Sequence, residues 1–409
     1  FVEQLQQPIG HPLWVLFDEV QYAKDWEIQL EFLISDNPHI RFVVCGSVIT
    51  LHNIGRPSNT SSFTEFFLPP VTFAEYLRFT GQEDTLIIYT PKQPESSHNT
   101  YHSSDIHSLN AEFVRYLNYG GFPEMVMDPA MRANPARFLR QGVDKVLLND
   151  LPNLYGIGDI QELNRFFSML AFNTGIEVGM EELSKYSGIS KSRLSDYLDY
   201  LEAAFLIKRV YRVDNKNSRM RRERTFKVFL SNPSIRSAIF GMVTASEDAI
   251  VNLAETAVWS QLMHSNQKKF SLHYARWKEG RQDLEVSMVS LDVQTNKLKF
   301  VVEIRWSDQI PDTLNDLPGL QSLVSKNAFN RKPLVTTRTI TDNITLDDCA
   351  IEFMPLALHC YIVSRNLLDS GLSNIKESGY LALSETEIQS EYDDTDIQCS
   401  LRLNADPPW

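Results

Sequence analysis

Unbroken apolar runs and helically spaced apolar residues alternate over the first fifty positions. "LWVLF" (13–17) places five apolar residues directly before Asp18 and Glu19. A run this short and bulky suits a strand covered on both faces. "YAKDWEIQLEFLISD" follows, with Trp26, Leu30, Leu33 and Ile34 on one helical face, and then "IRFVVCGS", whose residues 40–45 read as a second buried strand. Strand, crossover helix and strand within about 30 residues make a βαβ unit with parallel strands. Ligands of open α/β sheets sit beyond the carboxyl ends of strands, which is where Asp18 and Glu19 fall. Taken alone, the two acids fit either a site or two solvated carboxylates.

Further along, the pattern changes character. "GRPSNTSS" reads as a loop, "FFLPPVTFAEYLRF" as a Pro-Pro turn with a short helix, and 91–105, "PKQPESSHNTYHSSD", as a surface loop. From Asn110 to about Leu170 the spacing is helical, broken at "YGGFPE". "MEELSKYSGI" and "SKSRLSDYLDYLEAAFLI" form two helices about Gly188, the second starting at Ser190 as N-cap. "KRVYRV" and "TFKVFLSNP" then read as a hairpin. Two helices, a glycine turn and a hairpin make a winged helix-turn-helix, with 190–204 as recognition helix. Tyr197, Leu198, Leu201 and Phe205 are its expected core. The last third begins with the helical "AIVNLAETAVWSQLMHS". The strand-like runs "KFSLHYARW", "DLEVSMVSLDV", "KLKFVVEIRW" and "KPLVTT" follow.

Composition narrows the partners. The 409 residues allow two to four domains, and a net charge of -13 disfavours nucleic-acid binding except at a local basic patch. One such patch exists: nine Lys or Arg and two acids from Lys208 to Lys227, densest in "SRMRRERTFK" where the wing turns. Between Glu377 and Asp396 seven acids stand without a Lys or Arg, the pattern of a solvated, disordered tail. Four cysteines without CxxC spacing argue against zinc or disulfides and fit a reducing cytoplasm. No apolar run reaches the ~20 residues of a membrane helix. A start at Phe1, close to a buried strand, reads as a chain lacking its native beginning. His98, His102 and His107 share a polar loop with Asp105 and read as loop residues rather than metal ligands.

These pieces resemble a large prokaryotic family of P-loop ATPases with an AAA-type or STAND-like ATPase domain, a winged helix and a C-terminal domain similar to the PD-(D/E)XK nuclease fold. The resemblance lies in "VLFDEVQYAKDWEIQL", "RFVVCGS", "LPPVTFAEYL", "YGGFPE", "DKVLLNDLPNLYGIGD", "LAFNTG", "ISKSRLSDYLDYLEAAFLIKRV" and "VVEIRWSD", which stand in family order over roughly 10–360. It implies an α/β and α+β multidomain protein. Its parts would be the C-terminal part of a parallel-sheet P-loop ATPase core (1–80), a helical lid (81–150), a winged helix (151–235), a nuclease-like α/β domain (236–365) and the acidic tail (366–409).

The resemblance also assigns roles. Asp18 would hold Mg²⁺ through water and Glu19 would polarise the attacking water, as in a Walker B motif. Ser47 would sense the γ-phosphate, with a helix N-cap as its plain alternative. Arg56 would offer a cation to the transition state, or be a surface arginine. Gly121 and Pro123 of "GGFP" would lie near the nucleotide. No GxxxxGK(S/T) loop occurs in the chain. In the family that loop lies upstream of the Walker B strand and holds the phosphates, so ATP with Mg²⁺ is expected as cofactor of the complete protein, with weak or no ATP binding by this chain. Lys191, Arg193, Arg219, Arg221, Arg222 and Arg224 are the candidate DNA contacts, and intramolecular packing of the winged helix is the alternative. Glu285 and Glu303 (with a metal between them), Glu255 and Asp283 resemble nuclease carboxylates. Arg305 stands where the family's site has lysine, and a planar, always-protonated guanidinium does not replace a point-charge ammonium. The expected function is a nucleotide-dependent switch. A DNA-binding or DNA-cutting effector and a non-catalytic scaffold are the alternatives, and a homo-oligomer or a protein partner is compatible with each.

Overall fold

The computed structural model describes residues 13–46, 68–91, 100–132, 135–214, 225–263, 270–327 and 331–377. The chain divides into Phe1–Ser364 and Arg365–Trp409. Its strands are β1 (Leu13–Phe17), β2 (Ile40–Val44), β3 (Ile87–Thr90), β4 (Thr100–Ser103), β5 (Glu177–Gly179), β6 (Ile207–Val213), β7 (Thr225–Leu230), β8 (Phe270–Glu279), β9 (Gln282–Asp292), β10 (Leu298–Glu303), β11 (Leu334–Thr337), β12 (Asp342–Leu346) and β13 (Cys349–Pro355).

β1 and β2 pair in parallel, Leu13 opposite Ile40 through Phe17 opposite Val44, with the helix Trp26–Asp36 between them in the chain. Leu30 is buried, and Trp26, Leu33 and Ile34 are half-buried. The expected two-sided cover of β1 is not met among the described residues. Trp14 is 58% and Leu16 72% exposed, both on the same face of β1.

Nine strands form one sheet in the order β12-β13-β11-β10-β9-β8-β6-β7-β5. β5, β7 and β6 are antiparallel, and β6 joins β8 in parallel through Arg212–Tyr274 and Val213–Ala275. The boundary expected at 235/236 therefore falls between strands of one continuous sheet. Two cores flank this junction. One gathers Phe166, Phe167, Leu194, Leu198, Leu201 and Val228; the other gathers Val286, Val289, Leu320, Leu323, Ile351 and Phe353.

The helix pair lies where the spacing predicts. Met180–Ser187 ends at Gly188 (φ +74°), a left-handed stop that glycine adopts without strain. Ser190 Oγ accepts from Arg193 N and opens Lys191–Ala203. Tyr197, Leu198 and Leu201 are buried, whereas Phe205 is half-buried at a positive-φ turn. One segment read as loop is partly a strand: 100–103 pairs antiparallel with β3. Tyr101 drives this, being buried with its ring 5.5 Å from that of Tyr361 and 5.4 Å from that of Tyr89.

The motifs "LPPVTF" and "YGGFPE" meet in a buried polar junction. Tyr116 Oη donates to Val71 O (3.1 Å) and accepts from Gln261 Nε2 (2.8 Å), while Phe73 N donates to Gln261 Oε1 (3.0 Å). Val71 N donates to Gly121 O (3.0 Å), and Gly121 N to Ser234 Oγ (3.2 Å). A Cβ on Gly121 would stand 2.2 Å from Asn232 Cγ, so only glycine leaves room for the Asn232 side chain there.

Candidate functional site

Asp18 and Glu19 follow the last residue of β1. Asp18 Oδ1 accepts from Glu19 N (2.9 Å) and from Cys45 Sγ (2.7 Å), which ties it to the end of β2. Glu19 adopts φ +54°, a conformation that costs a non-glycine residue free energy and clusters at functional sites. Its carboxylate is held from two sides. Gln21 Nε2 donates to Oε2, and Lys145 Nζ lies 2.6 Å from Oε1. The Lys145 and Gln21 bonds pull the Glu19 carboxyl below its usual range, and the same pairing raises the Lys145 ammonium.

Lys145 opens a π-helical turn, Lys145–Asp150, that continues the helix Pro135–Asp144. Single π turns within α-helices are frequent at functional sites. Asp150, at the other end of this turn, is fully buried and accepts from Tyr22 Oη. One helical turn thus grips the acidic strand end at two points. Hard carboxylate oxygens fit Mg²⁺, which takes one or two protein carboxylates and completes its shell with water and phosphate oxygens; Asp18 and Glu19 supply such donors. Ser47 and Arg56 lie outside the described residues. Gly121 packs on Asn232 and Ser234, and Pro123 opens the helix Pro123–Met127.

A second cluster gathers around Lys227. Its Nζ is 3.1 Å from Glu255 Oε1, on the helix Ala249–Met263, and 2.7 Å from Glu285 Oε1 on β9. Glu303, at the end of β10, accepts from Ser287 N (3.4 Å) and lies 3.7 Å from Arg305 Nε. Burial first, then the charges of Glu255 and Glu285, push the Glu303 carboxyl up to about 7 against the pull of Arg305. Three of the four carboxylates predicted from sequence, Glu255, Glu285 and Glu303, are therefore neighbours. Asp283 is turned to Arg276 Nη2 (2.6 Å), which also reaches toward Glu285 and Glu177. The Arg305 backbone is clamped by Thr336 Oγ1 at both its N–H and its carbonyl (2.7 and 2.9 Å). Among the described residues, no group of three or more His, Cys, Asp or Glu is disposed to hold a metal ion.

On the helix Lys191–Ala203, Ser190, Lys191, Ser192, Arg193 and Ser195 are all exposed. Lys191 pairs with Glu181 (2.8 Å) and Arg193 with Glu162 (3.0 Å). Exposed pairs of this kind contribute about 0–1 kcal/mol and exchange readily for another anion. Arg219, Arg221, Arg222 and Arg224 lie outside the described residues, as does the acidic segment beyond residue 377.

Sequence reasoning missed Lys145, Gln21, Tyr22, Asp150 and Lys227. Lys145 and Asp150 sit in the quoted "DKVLLND", but nothing local ties them to a strand more than a hundred residues earlier. Lys227 was counted with the basic wing; the structure buries it in β7. Its signal was there to read: one lysine in an otherwise apolar strand, "TFKVFL".

Comparison with known proteins bears on the N-terminal segment. Residues 1–77 match the model of an AAA domain, and residues 110–246 match that of a domain of unknown function (DUF8612). The first match supports a P-loop ATPase-like family for the N-terminal part. Among curated proteins, the chain is similar to an uncharacterized protein of Haemophilus influenzae, 26% identical over 49% of this chain and 46% of the relative. It is also similar to the uncharacterized protein MJ1637 of Methanocaldococcus jannaschii, 23% identical over 67% of this chain and 58% of the relative. The chain spans about half the length of these relatives. Among the described residues, no helix is long and apolar enough to cross a membrane.

Proposed function

We propose that this chain carries the metal- and water-activating half of an ATP site in a STAND-like P-loop ATPase that works as a nucleotide-dependent switch. The observation that carries this reading is the Asp18–Glu19 pair at the carboxyl end of a parallel strand, inside the segment that matches an AAA domain. Asp18 would hold Mg²⁺, which would supply charge neutralisation at the phosphates, and Glu19 would accept a proton from the attacking water. Lys145 and Gln21 orient the Glu19 carboxylate and keep it ionised at neutral pH, the state a general base needs. Ser47 reads the γ-phosphate, Arg56 meets transition-state charge, and Gly121 and Pro123 belong to the lid.

The test uses the protein expressed from its complete reading frame. Glu19→Gln is expected to keep Mg·ATP binding, read by calorimetry, and to lower turnover by at least about 100-fold, the scale of general-base loss. Equal turnover by the two proteins, or absence of nucleotide binding by the wild type, would sink the reading.

A second reading concerns residues 151–235 as a winged helix that touches DNA. The capped helix pair around Gly188, the three antiparallel strands β5, β7 and β6, and the solvent-facing Lys191 and Arg193 favour it. Residues 236–365 are proposed as a nuclease-like fold, its carboxylates gathered on β9, β10 and the helix Ala249–Met263.

A further inference from the structure

Lys227 is 5% exposed, yet its ammonium lies among carboxylates from two other elements. In the sheet order, β6 and β8 separate β7 from β9. Three strand spacings of a flat sheet are ~14 Å, a gap that the Lys227 and Glu285 side chains close to 2.7 Å between them. The Tyr274 ring, 5.3 Å below Nζ, walls the ammonium from the β8 side. Burial pulls the ammonium's proton affinity down, but Glu255 and Glu285 outweigh it and hold the lysine charged. Among the described residues, the positive charges facing the cluster include Lys227, Arg212, Arg276 and Arg305, and the negative ones Glu255, Glu285, Glu303, Asp283 and Glu177.

We infer that Lys227 is a protein-borne counter-cation filling the Glu255–Glu285–Glu303 cluster, which therefore locks the β6–β7 hairpin to β9 and the helix Ala249–Met263 and takes no divalent metal. The reason is competition for the same oxygens. A Mg²⁺ or Mn²⁺ ion bound at ~2.1 Å from the carboxylates would stand against the ammonium, which already lies within hydrogen-bond distance of one oxygen of Glu255 and one of Glu285. Arg305 cannot take over the lysine's part, since its backbone is clamped to Thr336 and its fork lies against Glu303. The cluster has the members of a hydrolytic site but the wiring of a buried ion pair. This inference does not depend on the ATPase reading.

Mn²⁺ binding, counted by electron paramagnetic resonance, tests it on four forms of the whole chain: wild type, Glu285→Gln, Lys227→Met and the double variant. Wild type and Glu285→Gln are expected to bind equal numbers of Mn²⁺. Lys227→Met is expected to gain one ion per chain, and the double variant to lose it again. A drop in the Mn²⁺ count on Glu285→Gln alone would overturn the inference, as would a folded Lys227→Met that gains none. Should Lys227→Met fail to fold by circular dichroism, the comparison of wild type with Glu285→Gln decides the matter.

Discussion

Glu303 and Glu19 show how one side-chain type takes opposite characters from its surroundings. Glu19 is held ionised by donated hydrogen bonds from Lys145 and Gln21. Glu303 is half-buried beside two other carboxylates, and desolvation pushes its carboxyl up to about 7. A carboxyl whose folded value lies above its unfolded one binds more protons in the native state. Stability then falls as pH rises from about 4.5 to about 7. Glu303→Gln is expected to remove this slope and to stabilise the protein above pH 7 by up to about 3 kcal/mol. Urea midpoints measured on either side of the window check it, and parallel curves for the two proteins would refute it. The acids were legible in the sequence as strand-end carboxylates. Their proton affinities were not, because Lys145, Glu255 and the burial itself come from distant parts of the chain.

At the scale of elements, the helix Lys191–Ala203 was legible because its determinants are local: a left-handed stop at Gly188, a hydroxyl cap at Ser190 and apolar residues three and four apart. Its exposed face makes a specific prediction. If this helix lies on DNA, replacing Lys191 and Arg193 by Ala should weaken binding for all sequences alike. The slope of log K against log salt should become shallower by about 1 for each lost phosphate contact. Superimposable salt titrations would show that the face serves intramolecular packing through Glu181 and Glu162 instead. β4 was illegible for the opposite reason. Four residues in a polar stretch become a strand through Tyr101, whose burial depends on Tyr361. The exposed Trp14 and Leu16 of β1 show the same limit, since an apolar run reports the capacity to be covered and not the cover itself.

For the molecule as a whole, the junction around Tyr116 ties together segments far apart in the chain. It joins Val71–Ala74, the Gly120–Gly121 turn, Asn232–Ser234 and Gln261 by hydrogen bonds that are mostly buried. Gly121→Ala drives a methyl into Asn232 and is expected to cost about 1–3 kcal/mol by overpacking. Thermal denaturation reads this out, and an unchanged midpoint would mean that the junction relaxes freely. Glycine at this turn was evident in the sequence; the reason, a close approach of 232–234, was not. The sequence by itself determined the capped helices, the strand acids and the local basic run, since each depends on neighbours within a few residues, and the parallel β1–β2 pair, since strand, crossover helix and strand lie within about 30 residues. Tertiary structure alone decided that β6 and β8 join two strand groups into one sheet, that Lys145 meets Glu19, and that Lys227 leaves the wing for a carboxylate cluster. Those outcomes turn on charge and packing between segments tens to more than a hundred residues apart, which local pattern does not encode.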